Sequence, residues 1–338
     1  MRLLFWIPLS LIALYEATLD PRKNEFTKAW FEPNEEEDDD NPEYQDPEVV
    51  DEEDGLIISK VKFTELIAEF PNTALTPMQA LETSWRSIVG RYTPFEIEVF
   101  GTIIVQLLTF YLPCAIYMSL PSLAPEFSTR HKLQKQEKQP TGEQIKDAFL
   151  VVMRNQLIAL GLQFLTIYNE RRKGYPSVFD HSPQLPTLTV FLRDLLIMLV
   201  AREMMFYYIH RLFHTKRLYP YIHKIHHRFT APCALAAQYA HPFEHIVCNV
   251  TPIFLPGALM RSHILTFWVF LAAMLIETST VHSGYDFWPH LAEKHDRHHE
   301  VFMWNYGASL DWFDWLHGTK EKATTKNGVE GGKQMKKD

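Results

Sequence analysis

The sequence predicts an all-α, membrane-embedded helical bundle of about four spans, folded as helical hairpins, with a histidine-rich cap on the cytosolic side. Apolar runs extend from about Pro94 to Leu120, Ala148 to Tyr168, Leu188 to Ile209 and Val250 to Ser279, each long enough for about 20 residues of helix across hydrocarbon. Thirteen of the sixteen histidines fall between His210 and His299, about a quarter of the chain. Trp268, Trp288, Trp304, Trp312 and Trp315 lie near the run ends, where indole rings favour a membrane–water interface.

Taken in order, residues 1–60 read as an addition to the bundle. Leu3 to Tyr15 is apolar but only 13 residues long, better suited to a signal-like segment or short anchor than to a span. Glu32 to Asp54 holds fourteen acids and no Lys or Arg, a solvated, disordered composition. Removing those fourteen from the net charge of −8 leaves +6, so the remaining body is mildly basic, as suits an anionic membrane face.

Residues 61–185 supply the first membrane helices. The connection that follows the first run carries Arg130, Lys132, Lys135, Lys138 and Lys146, and the positive-inside rule places it in the cytosol. Residues 186–319 form the predicted catalytic domain. Its first run carries Arg193, Asp194, Arg202 and Glu203, charges that a lone spanning helix tolerates badly, so it should face other protein for part of its length. Pro252 and Pro256 near the start of the last run favour a helical hairpin over one rod, which returns His241 and His282 to one side. Residues 320–338 are polar, Lys-rich and read as a flexible tail.

The histidines arrive as HRLFH (210–214), HKIHH (223–227), HPFEH (241–245) and HDRHH (295–299). His210 and His214 share a helix face one turn apart. In His223, His226 and His227, and again in His295, His298 and His299, the i, i+3 pair shares a face and the third ring turns away by about 100°. One such triple can serve two neighbouring metals. Structural zinc usually recruits thiolates, but Cys114, Cys233 and Cys248 form no CxxC. Imidazole suits zinc, copper, iron and nickel, so ligand type leaves the metal open. Pro242 interrupts any regular helix through HPFEH, and His241 is preferred slightly over His245. His263 and His290, isolated, read as ordinary histidines. Protonation switching is the main rival use of such clusters.

No P-loop, dinucleotide glycine fingerprint or nucleophile elbow is present, so phosphate and hydride chemistries lose support. No basic stripe with interleaved aromatics points to nucleic acid. A metal transporter remains a different class of reading; it would place histidines and acids inside several spans, whereas here they lie at or beyond span ends.

HRLFH, HKIHHRFTAP, QYAHPFEH, HSGYDF and HDRHHEVFMWNYG, in this order, resemble the fatty acid hydroxylase and sterol desaturase superfamily of non-haem diiron membrane oxygenases. The likeness covers about Phe95 to Thr319, and HSGYDF with AHPFE is most similar to the C4-methylsterol oxidase branch. It implies metal ligation by His210, His214, His223, His226, His227, His282, His295, His298 and His299, with His241 as the further member. It also implies two iron ions and O2-dependent hydroxylation of an unactivated C–H bond, most readily on a C4-methyl sterol, with fatty acyl chains or other sterol positions second. Electrons would come from NAD(P)H through cytochrome b5 and its reductase at the endoplasmic reticulum membrane. Asp286 stands where some relatives have another histidine and is open as ligand or hydrogen-bond partner. Asp296 and Glu300 flank ligands and could orient them, and Asn305, Tyr306, Asp311 and Asp314 are further supporting candidates. Phe206, Tyr207, Phe243 and Trp268 are the expected lining of a lipid pocket.

Overall fold

The computed structural model describes residues 76–287 and 291–321. The expectations for residues 1–60, Trp288, His290 and residues 322–338 lie outside the described residues. Gln79–Asp338 is one compact unit, and the site belongs to it. Among the described residues the chain is helical without strands, as α1 (Pro77–Arg91), α2 (Pro94–Leu123), α3 (Pro125–His131), α4 (Gly142–Lys173), α5 (Leu188–Phe213), α6 (Thr251–Leu259), α7 (Ile264–Val281), α8 (Leu291–Val301) and α9 (Trp312–Leu316).

Local chemistry sets the boundaries. Thr93 opens α2 with a capping box, its hydroxyl accepting from Glu96 N while Glu96 Oε2 accepts from Thr93 N at 2.8 Å. Thr141 and Gln144 repeat the device at α4, which ends on Gly174 at φ 72. Two stretches widen to π geometry, Leu107–Tyr111 inside α2 and His245–Val250 just before α6. Each ends two residues before a proline, Pro113 and Pro252, whose missing N–H removes one i→i−4 bond and lets the turn open.

Three helices are long and apolar enough to cross a membrane: α2, α4 and α7. Their outer faces expose Phe100, Ile104, Leu108 and Leu112 on α2 and Leu157, Leu162 and Leu165 on α4, side chains that hydrocarbon would cover. The third apolar run differs from a plain span. In α5 three of the four expected charges point inward, with Asp194, Arg202 and Glu203 buried, while Arg193 is exposed and Leu188, Leu192, Leu196, Val200 and Met204 face out. Arg202 bridges Glu203 at 2.5 Å and Glu277 of α7 at 2.7 Å, so α5 depends on protein along its inner face. The last run breaks as expected: Arg261, at φ 50, turns the chain between α6 and α7. Met198, Phe270 and Met274 form a core between α5 and α7.

Helix α2 lies close against α7 at a glycine. A Cβ at Gly101 would stand 2.0 Å from Trp268 Cζ2, and Trp268 Nε1 donates to Thr102 Oγ1 at 3.2 Å. Gly101→Ala should therefore displace the indole and cost about 1–3 kcal/mol by overpacking. Thermal unfolding in detergent checks this, and an unchanged midpoint would contradict the close approach.

Candidate metal centre

Nine of the ten histidines expected to bind metal converge in two groups. His210, His214, His223, His227 and His298 form one, and His226, His282, His295 and His299 the other, with their ligand atoms within 4.8 Å of one another in each. The helical pairing differs from expectation. The pairs that share a group are i, i+4 (210/214, 223/227, 295/299), while the i+3 members His226 and His298 cross to the opposite group. On a helix the i+4 side chain is rotated by only about 40° and i+3 by about 60° the other way, so i+4 stays closer to one ion. Each triple still serves both groups.

His241 joins neither. It precedes the turn Pro242–Glu244, and its Nδ1 accepts from Phe243 N at 3.2 Å, which makes it a helix cap. His263 caps α7 in the same way through Leu265 N.

The outward hydrogen bonds of the rings fix which nitrogen is free. Nδ1 donates to Tyr306 O from His210 (2.7 Å), to Trp304 O from His298 (2.6 Å), to Tyr239 O from His226 (3.2 Å) and to Thr278 O from His282 (2.8 Å). A carbonyl only accepts, so each Nδ1 carries the proton and each Nε2 presents a lone pair inward. These lone pairs face one another: His226 and His282 Nε2 are 3.5 Å apart. Related Nε2 pairs are His282–His295 at 2.9 Å, His210–His223 at 3.1 Å and His214–His298 at 3.1 Å. Two lone pairs repel unless a cation lies between them. Metal–nitrogen bonds of about 2.0–2.1 Å give ligand edges of about 2.9–3.4 Å in octahedral to tetrahedral sites, close to these spacings. The donor set therefore fits a pair of metal ions.

Burial keeps the rings in this ligating form. It holds His226 down to about 4, His282 to about 3 and His214 to about 2, with neighbouring histidines adding to the effect on the last two.

Support beyond the ligands comes partly from residues the sequence did not single out. Glu244 Oε1 meets His223 Nδ1 at 2.5 Å, both side chains buried. In sequence Glu244 was only a spacer between two histidines. Glu244→Ala should lower metal affinity by about 10–100-fold. Chelator competition measures it, and an unchanged affinity would remove Glu244 from the site. Asp314, 0 % exposed, accepts from Tyr306 N and Gly307 N, each at 2.8 Å, and from Thr319 Oγ1 at 2.8 Å. It thereby holds the loop whose carbonyls orient His210 and His298.

The other carboxylates lie elsewhere. Asp296 accepts from Gln134 Nε2 at 3.0 Å and Glu300 pairs with Lys138 and Arg297, so neither orients a histidine. Asp286 is outside both groups, and Asp311 pairs with Lys294 and Lys320. Asn305 Oδ1 accepts from Glu321 N.

A cavity of about 280 Å³ opens between α2, α4, α5, α6 and α7. Its wall includes Leu160, Phe254, Phe267, Leu271 and Leu275. None of the nine histidines lines it, but two wall residues touch the groups: Phe206, whose ring lies 5.0 Å from that of His210, and Thr278, whose carbonyl holds His282. Of the four expected lining aromatics, only Phe206 is in the wall. Tyr207 stacks on Phe313 and His317, Phe243 packs on Phe213, and Trp268 fills the space over Gly101.

Comparison with known proteins bears on what this geometry does. Residues 195–319 match the fatty acid hydroxylase family profile. The chain is 32% identical over 270 residues to methylsterol monooxygenase 1 of Danio rerio, covering 75% of this chain and 89% of that protein. It is 31% identical over 256 residues to methylsterol monooxygenase 1 of Rattus norvegicus, covering 72% and 84%. Similarity extends to a very-long-chain aldehyde decarbonylase of Oryza sativa, 30% identical over 271 residues, covering 76% and 97%. No solved structure matches the chain.

Proposed function

The chain belongs to the fatty acid hydroxylase family, and from that premise we propose that it is a diiron oxygenase that hydroxylates a C–H bond of a membrane lipid, first of all a C4-methyl sterol. The relatives support an oxidoreductase and the apolar helices a membrane protein. The observation that carries the iron reading is the inward convergence of nine neutral imidazoles, with lone pairs opposed at bonding-polyhedron distances. Two bound irons would supply O2 activation and hydrogen abstraction. The protein's own part is to fix ring orientation through Tyr306 O, Trp304 O, Tyr239 O, Thr278 O and Glu244. It also offers a largely apolar cavity in which lipid displaces water from beside the metals.

We assign the chemistry to residues 186–319, with ligands His210, His214, His223, His226, His227, His282, His295, His298 and His299. His241 is left out because its ring caps a turn. By analogy with the family, electrons are assigned to NAD(P)H, delivered by cytochrome b5 and its reductase. The site is assigned to the cytosolic face of the endoplasmic reticulum. Contact between the basic connection and the metal-bearing helix α8 favours this orientation: Lys138 pairs with Glu300 at 2.9 Å and Gln134 with Asp296. A long-chain aliphatic aldehyde is the second substrate reading, favoured by the rice relative.

The test is metal analysis of detergent-purified protein together with turnover of a C4-methyl sterol under O2 with NADPH, reductase and cytochrome b5. About two irons per chain and an O2-dependent hydroxylated sterol are expected. Tightly held zinc without O2 consumption would overturn the reading, and conversion of aldehyde in place of sterol would select the second substrate.

A further inference from the structure

We infer that His245 grips the polar end of the lipid, an alcohol or carbonyl oxygen close to the carbon that reacts, as on the carbon next to the one that bears a reacting methyl. The inference rests on the oxygenase reading and names the substrate feature that the site selects. His245 lines the cavity, is 2 % exposed, and neither of its ring nitrogens has a hydrogen-bond partner. A buried imidazole without partners is costly to keep, so it is expected where a ligand completes it.

Several other polar groups of the wall are already committed. Gln156 Nε2 donates to Gln238 Oε1 at 2.6 Å, Arg202 is bound to Glu203 and Glu277, Glu98 meets Ser177 and His181, and Thr102 accepts from Trp268. Around His245 the wall is otherwise Ile246, Cys248, Asn249 and Val250 of the widened turn, and Asn249 Nδ2 donates to Ala237 O at 3.4 Å. That turn aims its side chains differently from a regular helix, and Pro252 is what opens it.

Position ties the unpaired ring to the chemistry. His245 follows Glu244, which holds His223, and Gln238 beside it in the wall precedes Tyr239, whose carbonyl holds His226. His245 and Gln238 are therefore wall residues that each adjoin, along the chain, a group that holds a histidine of the site. A neutral imidazole offers one N–H and one lone pair, matching a hydroxyl that both donates and accepts. In a C4-methyl sterol the C3 hydroxyl is on the carbon adjacent to the methyl-bearing one. With that hydroxyl on His245, the methyl faces the histidine groups, and the ring system extends along the apolar wall toward α4. The lipid thus enters with its polar end foremost.

The experiment is equilibrium binding of two radiolabelled lipids, a 4,4-dimethyl sterol and its 3-deoxy analogue, to the full-length, iron-loaded protein in detergent. Wild type is compared with His245→Leu and His245→Gln. Wild type should prefer the hydroxylated lipid by about 10–100-fold, the scale of one well-made buried hydrogen bond. His245→Leu should abolish the preference while binding the deoxy lipid as well as wild type does, and His245→Gln should restore part of it. Iron content should be the same in all three. Removing an unpaired polar group leaves melting unchanged or raised, so loss of fold is not the expected cause of any change. A preference that survives in His245→Leu, or none in wild type because water satisfies the ring, overturns the inference and leaves the oxygenase reading standing. If wild type binds neither sterol, a long-chain aldehyde and the matching alkane take their place under the same criteria. Failure of all four to bind overturns both.

Discussion

Replacing His226 by Ala is expected to remove one of the two metals and all measurable turnover. His226 belongs to the group of four, and its Nδ1 is already spent on Tyr239 O, so Nε2 is its whole contribution inward. Three histidines would remain in that group, opposite five intact ones. Iron per chain should fall from about two to about one. Turnover should drop by at least about three orders of magnitude, about 4 kcal/mol of transition-state stabilisation, because the proposed diiron reaction uses both ions. Iron analysis and sterol turnover on the same preparation measure this, and an active one-iron protein would show that the groups work independently.

Asp314→Ala should be the most damaging change that touches no histidine. The buried carboxylate accepts from Tyr306 N, Gly307 N and Thr319 Oγ1, and Lys294 lies 3.4 Å away. Truncation leaves two backbone donors and the Thr319 hydroxyl without their acceptor, while Lys294 keeps Asp311 at 2.6 Å, at a cost of about 3–5 kcal/mol. A second effect follows through the loop. Once Tyr306 moves, its carbonyl releases His210, so the group of five loses metal before the group of four. A thermal melt with stepwise chelation resolves the order. Simultaneous loss from both groups would mean that Asp314 supports only the fold.

The histidines were legible in the sequence because their spacing is itself the geometry of the site. Nine imidazoles on three i, i+4 pairs and three single positions can be found by reading along the chain. Tyr306 and Asp314 stood among the supporting candidates, but the orienting contacts themselves were not legible, because four of them are backbone carbonyls, at Tyr239, Thr278, Trp304 and Tyr306, and any residue type supplies one. Glu244 was hidden by looking like the middle of a histidine pair. The same pair misled in the other direction: His241 has the right residue type, but Pro242 starts a turn that takes its ring as a cap. Apolar runs located the ends of α2 to within three residues and those of α4 to within six, while the last run covered α6 and α7 together. The role of α5 needed the partners of its charges, which come from much later in the chain.

Those partners also impose an order on biosynthesis. Arg202 is neutralised by Glu277, which is made 75 residues later, and Glu203 accepts from Ser309 N and Leu310 N, 106 and 107 residues later. Until nearly the whole described chain has left the ribosome, the Arg202–Glu203 pair of α5 has only its own two members for partners. The final seating of α5 therefore comes late, and the histidines at its end meet those of α8 only when the chain is almost complete.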